Sequence, residues 1–162
     1  MVEDPARPSK TRHVVLTLLV FLYGLTYLDR VCVSAAAPTI QEEFGFDEAI
    51  KGLIFSAFNL SYALFQIPTG WLADRIGAKR VLSILVGWWS FFTAATGAAW
   101  NAASLIVVRF LFGMGEAGAF PTASRAMARW VPINERGFAQ GITHAAARLA
   151  GSLAFPLSGF LV

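Results

Sequence analysis

Charge, cysteine and histidine are all scarce in this sequence, and each shortage removes a class of function. Asp, Glu, Lys and Arg make up 14% of the 162 residues, against about a quarter in a soluble domain that must wet its whole surface. The single cysteine, Cys32, falls inside an apolar stretch. No disulfide framework can be built from it, no Cys/His spacing of a metal site occurs, and no metal or cofactor is expected. The formal charge of +3 does not point to nucleic acid, because the basic residues lie between apolar runs rather than along one helix or strand face. No Ser/His/Asp set, paired-histidine site or Asp-rich phosphate site is visible, so no catalytic residue is assigned and an enzyme is not expected. A channel is disfavoured too, since there is no filter loop or ring-forming repeat.

What is abundant is apolar bulk: 56% hydrophobic residues, with 14 Phe and 5 Trp. It is gathered into five stretches, each near the roughly 20 residues that cross a bilayer. The expected fold is therefore an all-α polytopic membrane protein, with spans at about 14–37, 52–73, 81–100, 105–126 and 138–162. Residues 1–13 are polar, contain two prolines and read as a disordered tail. The first span is no signal peptide, because it runs on through Tyr27, Asp29 and Arg30 to Pro38 and four more spans follow. Pro38 and the acidic stretch 41–51, with Glu42, Glu43, Asp47 and Glu48, read as a solvated first loop. A cytoplasmic N-terminus places Arg7, Lys10, Arg12, Arg75, Lys79, Arg80, Arg125, Arg129 and Arg136 inside and Lys51 outside, the bias expected of a cell-membrane protein. The chain stops at Val162 while still apolar, which predicts the front part of a longer protein.

Ionisable groups at membrane depth are costly and mark cavities or partners. Five are expected there: Asp29, Arg30, Arg109, Glu116 and Arg148. On the first span Tyr23, Tyr27, Arg30 and Ser34 share a face, with Asp29 about 100° to one side. On the second, Gly52, Ser56, Asn59, Ala63, Gln66 and Gly70 form a small, polar stripe that should lie inside the bundle, with Asn59 and Gln66 either lining a pathway or joining helices. Arg109 and Glu116 lie two turns apart on the fourth span, beside Gly113, Gly115 and Gly118, which admit a close backbone or leave room for a ligand. An arginine fork suits a carboxylate substrate, and a nearby glutamate in a dry cavity can load and release a proton. The alternative is a structural ion pair, either Arg109 with Glu116 or each with Asp29 or Arg30. On the fifth span Gly137, Gly141, His144, Arg148 and Gly151 share a face. His144 reads either as a titrating group or as a hydrogen-bonded packing residue. Three arginines against two acids favour an anionic substrate.

The turn after the second span reads Gly70-Trp71-Leu72-Ala73-Asp74-Arg75-Ile76-Gly77-Ala78-Lys79-Arg80 and resembles the hallmark loop of the major facilitator superfamily. Tyr27-Leu28-Asp29-Arg30, with Ser34 to Pro38, resembles the first helix of its anion:cation symporter family. Arg109 to Ala117, Phe120-Pro121, Trp130-Val131-Pro132 and Glu135-Arg136-Gly137 resemble that family's fourth helix and following loop. The resemblance implies twelve spans in two six-helix halves, of which these five belong to the N-terminal half, and a missing C-terminal half as partner. It implies alternating-access symport of an organic anion such as a sugar acid with protons, in a bacterial inner membrane. Asp29 and Glu116 resemble the proton-coupling acids, and Arg30 and Arg109 the residues that organise the anion site, with Tyr27 and Asn59 as weaker members. Arg148 rests on its helix face. Gly70, Asp74, Arg75, Gly77, Lys79 and Arg80 resemble the loop that gates the two halves. The isolated chain is expected to be inactive; the rival expectation is a structural or regulatory membrane subunit.

Overall fold

The computed structural model describes residues 10–159. Residues 1–9 of the expected tail and 160–162 of the expected fifth span lie outside it. Six α-helices follow in order: α1 (Lys10–Phe44), α2 (Glu48–Ile76), α3 (Ala78–Thr96), α4 (Ala102–Glu116), α5 (Ala119–Trp130) and α6 (Arg136–Gly159), with a 3-10 turn at Ile133–Glu135. α4 and α5 are the two parts of one interrupted rod, so the bundle has five rods. Three of them, Thr11–Phe44, Glu48–Ile76 and Ala102–Trp130, are long and apolar enough to cross a membrane by length and composition.

Several boundaries differ from those expected. α1 begins at Lys10, inside the expected tail, and Arg12 is held by Glu135 at 3.2 Å. It also runs through Pro38 to Phe44. A proline removes one backbone donor and strains the turn before it, and Thr39–Phe44 contains no second breaker until Gly45, at φ 62°. The expected loop 41–51 thus shrinks to three residues. Asp47 caps α2 by accepting from the Ile50 N–H at 2.9 Å. Lys51 then binds Glu48 at 2.6 Å and Gln41 at 3.0 Å, tying the end of α1 to the start of α2.

The other turns are set by local chemistry. Gly77 carries φ 91° and ψ 145°, a conformation that side-chain-bearing residues avoid, and so separates α2 from α3 within one residue. Asn101 and Ser104 form a reciprocal capping box at the start of α4, each side chain accepting the other's backbone N–H at 2.8 and 3.1 Å. Pro132 ends α5, and Arg136 donates to the freed carbonyls of Val131 and Ala128 at 3.1 and 2.6 Å.

α1 packs along α6, α2 along α4, and α3 covers the back of α4. The α4 glycines make this possible. A Cβ on Gly113 would sit 2.6 Å from the Phe58 carbonyl oxygen, one on Gly115 would enter the Trp88 ring, and one on Gly118 would sit 2.7 Å from Thr69 Cβ. They serve close helix approach rather than room for a ligand. Trp88 is fixed over this contact by donating to the Leu111 carbonyl at 2.8 Å. Large apolar side chains point outward, Ile67 at 83% and Trp100 at 76% exposure, as suits a lipid-facing surface. The α2 stripe departs from expectation: Gly52, Ser56, Asn59 and Ala63 are exposed on this chain, while Gln66 and Gly70 are half-buried.

Candidate functional site

The densest polar feature lies where α1, α2, α4 and α5 meet. Glu116, the last residue of α4, is completely buried. Its Oε2 accepts from Arg30 Nε at 3.0 Å, and Arg30 Nη2 stands 2.9 Å from the same oxygen, in ion-pair range but off the hydrogen-bond direction. The other oxygen, Oε1, has no hydrogen-bond partner. Of the pairings left open by the sequence, the structure brings together Arg30 and Glu116, 86 residues apart.

Aromatic rings complete the setting. The Arg30 guanidinium lies over Tyr62 at 4.6 Å, Phe58 at 5.2 Å, Tyr27 at 5.8 Å and Phe120 at 5.9 Å. Ring faces are negative, so this cage stabilises a cation that burial would otherwise penalise. Phe58 is fixed by Tyr62 and Phe112, each with ring centres 5.7 Å away. Phe120 is fixed by an edge contact with Tyr23 at 4.6 Å. Sequence reasoning named Tyr27 as a site residue, quoted Phe120 only as part of a motif, and missed Phe58 and Tyr62. The four-residue spacing of Phe58 and Tyr62 on α2 was the available signal, lost among the other phenylalanines of that helix.

Arg109 occupies a separate position. It is 3% exposed, lies 4.7 Å from the Phe112 ring centre, and donates from Nη2 to Thr96 Oγ1 at 2.5 Å. Its Nε has no hydrogen-bond partner, and it lines a small cavity with Thr96, Lys51, Phe55 and Leu105. Asp29 is half-buried and within electrostatic range of Arg109, without forming an ion pair. Asn59 and Arg148 are exposed, and neither touches the Arg30–Glu116 pair.

The loop residues cluster at the end of the bundle that also holds Arg12 and Glu135. Asp74 lies in the last turn of α2 and pairs with Arg125 of α5, whose Nη2 also donates to the Asp74 carbonyl at 3.3 Å. Arg75 stacks on Trp71 at 4.1 Å. Gly70 lies against Pro121, where an added Cβ would stand 3.6 Å away, and Lys79 and Arg80 open α3 exposed. Arg125 had been read for topology alone; its pairing is tertiary and no local spacing announces it.

An apolar-surfaced helical bundle with a caged ion pair in its interior defines a multi-pass membrane protein. The chain matches the Major Facilitator Superfamily model over residues 19–162 and belongs to that family. It is 50% identical over 148 residues to the "Probable sulfoacetate transporter SauU" of Cupriavidus necator, covering 91% of this chain and 34% of that protein. The "D-galactonate transporter" of Escherichia coli is 40% identical over 138 residues, covering 85% and 32%. Among solved structures, a bacterial homolog of the human lysosomal transporter Spinster, inward-facing and unoccupied, superposes with a TM-score of 0.90 at 30% identity. That match covers 96% of this chain and 33% of the other. The chain thus spans about a third of the length of these relatives.

Proposed function

We propose that this chain is part of the N-terminal half of a longer secondary carrier that moves an organic anion together with protons by alternating access, and that the chain alone does not transport. The observation that carries the reading is the Arg30–Glu116 pair: a fully buried carboxylate with one oxygen held by a guanidinium and the other without a donor. Protonation of Glu116 removes the counter-charge of Arg30. The guanidinium, 28% exposed at its side chain, is then free to present its fork to a carboxylate or sulfonate. Anion and proton thereby favour each other's binding at one locus. Asp29, within electrostatic range of Arg109 though not paired with it, is the second acid of the proposed coupling. The relatives' names support an organic anion as cargo. The bacterial relatives support a bacterial inner membrane, and the basic residues at the end of the bundle holding Arg12, Lys79, Arg80, Arg125 and Arg136 support a cytoplasmic N-terminus. Asp74 and Arg125 hold that end together, and their separation would accompany opening.

The test uses the complete carrier in liposomes. Glu116→Gln should keep anion exchange between equal pools while losing accumulation driven by a pH gradient. Undiminished accumulation by the variant would sink the assignment. Liposomes holding only the 162-residue chain should take up no anion; uptake by them would refute the need for a second half.

A further inference from the structure

We infer that His144 and Arg148 of α6 form a second anion-binding point beside Arg30, so that the site selects small dianions whose two charged groups are held at separate places. The inference rests on the function proposed above and goes further by naming the class of cargo and residues that set it.

The geometry begins at Phe120. Its ring centre lies 5.9 Å from the Arg30 guanidinium and 6.3 Å from the His144 ring, which stacks on it at 21°. Tyr23 holds both rings edge-on, with centres 4.6 Å from Phe120 and 5.2 Å from His144. The imidazole is thus positioned by packing, yet His144 is exposed on this chain and makes no hydrogen bond among the described residues. Arg148 follows one turn later on the same face. Its depth is given by Gly151, where an added Cβ would lie 3.6 Å from Tyr27 and Val31, next to the Arg30 turn of α1. The Arg148 side chain is exposed and has no ion pair or hydrogen bond among the described residues.

A free arginine at membrane depth needs an anion or water. Glu116 is already engaged by Arg30, and Asp29 lies in range of Arg109. Among the described residues neither acid is left for Arg148, and its counter-charge is assigned to the cargo. Arg30 holds one carboxylate or sulfonate, Phe120 forms the apolar floor between, and His144 with Arg148 takes the second charged group. A monoanion would leave the second point unfilled and gain nothing from it.

The experiment measures binding to the complete carrier in nanodiscs, using pairs matched in all but one charge: sulfoacetate with methylsulfonylacetate, and galactarate with galactonate. The unmodified carrier should bind the dianion of a pair more tightly, by about tenfold or more, the worth of one charge-assisted contact. Arg148→Gln should remove that preference by weakening the dianion alone, and Arg148→Lys should restore part of it. His144→Gln should reduce the preference, providing a second variant at an exposed position that does not endanger folding. Arg30→Gln should weaken both members of each pair. If Arg148→Gln lowers both members equally, or neither, this inference fails while the proposed function stands. If the unmodified carrier binds neither pair, or binds both members of a pair alike, this inference fails while the proposed function stands on its own transport test.

Discussion

Replacing Gly113 by alanine tests whether close packing of α2 on α4 builds the ion-pair site. The added Cβ would stand 2.6 Å from the Phe58 carbonyl oxygen, against 3.4 Å for ordinary contact. The obstacle is backbone and cannot rotate aside, so the helices must part by about 0.8 Å or distort, at a cost of about 1–3 kcal/mol. Alanine returns at most about 1 kcal/mol through its helix preference. The net loss, up to about 2 kcal/mol, corresponds to a fall in Tm of up to about 8 °C for a chain of this size. Gly52→Ala is the control, since an added Cβ there meets nothing within 4 Å, and it should melt no lower than the parent. Because Phe58 also walls the Arg30 cage, Gly113→Ala should weaken anion binding in the complete carrier as well. Thermal unfolding in detergent reads the first effect and ligand binding the second. If Gly113→Ala melts as high as Gly52→Ala, the packing argument is wrong.

Other outcomes follow from single contacts. Gly77→Ala places a side chain at φ 91° and should cost about 1–3 kcal/mol, read as a lowered Tm. Asn101→Ala removes one half of the α4 capping box and should cost about 1 kcal/mol, with faster amide exchange confined to residues 101–105. Arg125→Gln breaks an ion pair whose side chains are 46% and 60% exposed. Stability should then change by less than about 1 kcal/mol, while the transport rate of the complete carrier falls at unchanged substrate affinity; unchanged turnover would remove Asp74–Arg125 from any gating role.

The rods were legible in the sequence because burial in lipid leaves long apolar runs that need no knowledge of neighbours. Their ends were less so. Pro38 looked like a stop, yet one missing donor did not outweigh six further helical residues before Gly45. The faces of α1 were readable from spacing, and Tyr27 and Arg30 do share one. Which acid met which base was not readable. Arg109 and Glu116 are two turns apart on one rod, but the glutamate is met by the long side chain of Arg30, 86 positions away, a tertiary contact that no local spacing announces. The aromatic cage draws on three separate rods, and most of the small, polar α2 stripe is exposed on this chain, so spacing alone did not say what covers it.

The pairing of α1 with α6, and of Arg30 with Glu116, also has a meaning in time. Synthesis proceeds at about 5–20 residues per second, so Arg30 enters the membrane roughly 4–17 s before the carboxylate that neutralises it. During that interval the first helix carries Asp29 and Arg30 without their final neighbours. α6, its main packing surface, is made last among the described helices. The nascent bundle must therefore tolerate an uncompensated charge until most of the chain has been inserted, and a ribosome stalled after α3 would leave a helix suited to capture by an insertase or quality-control protease.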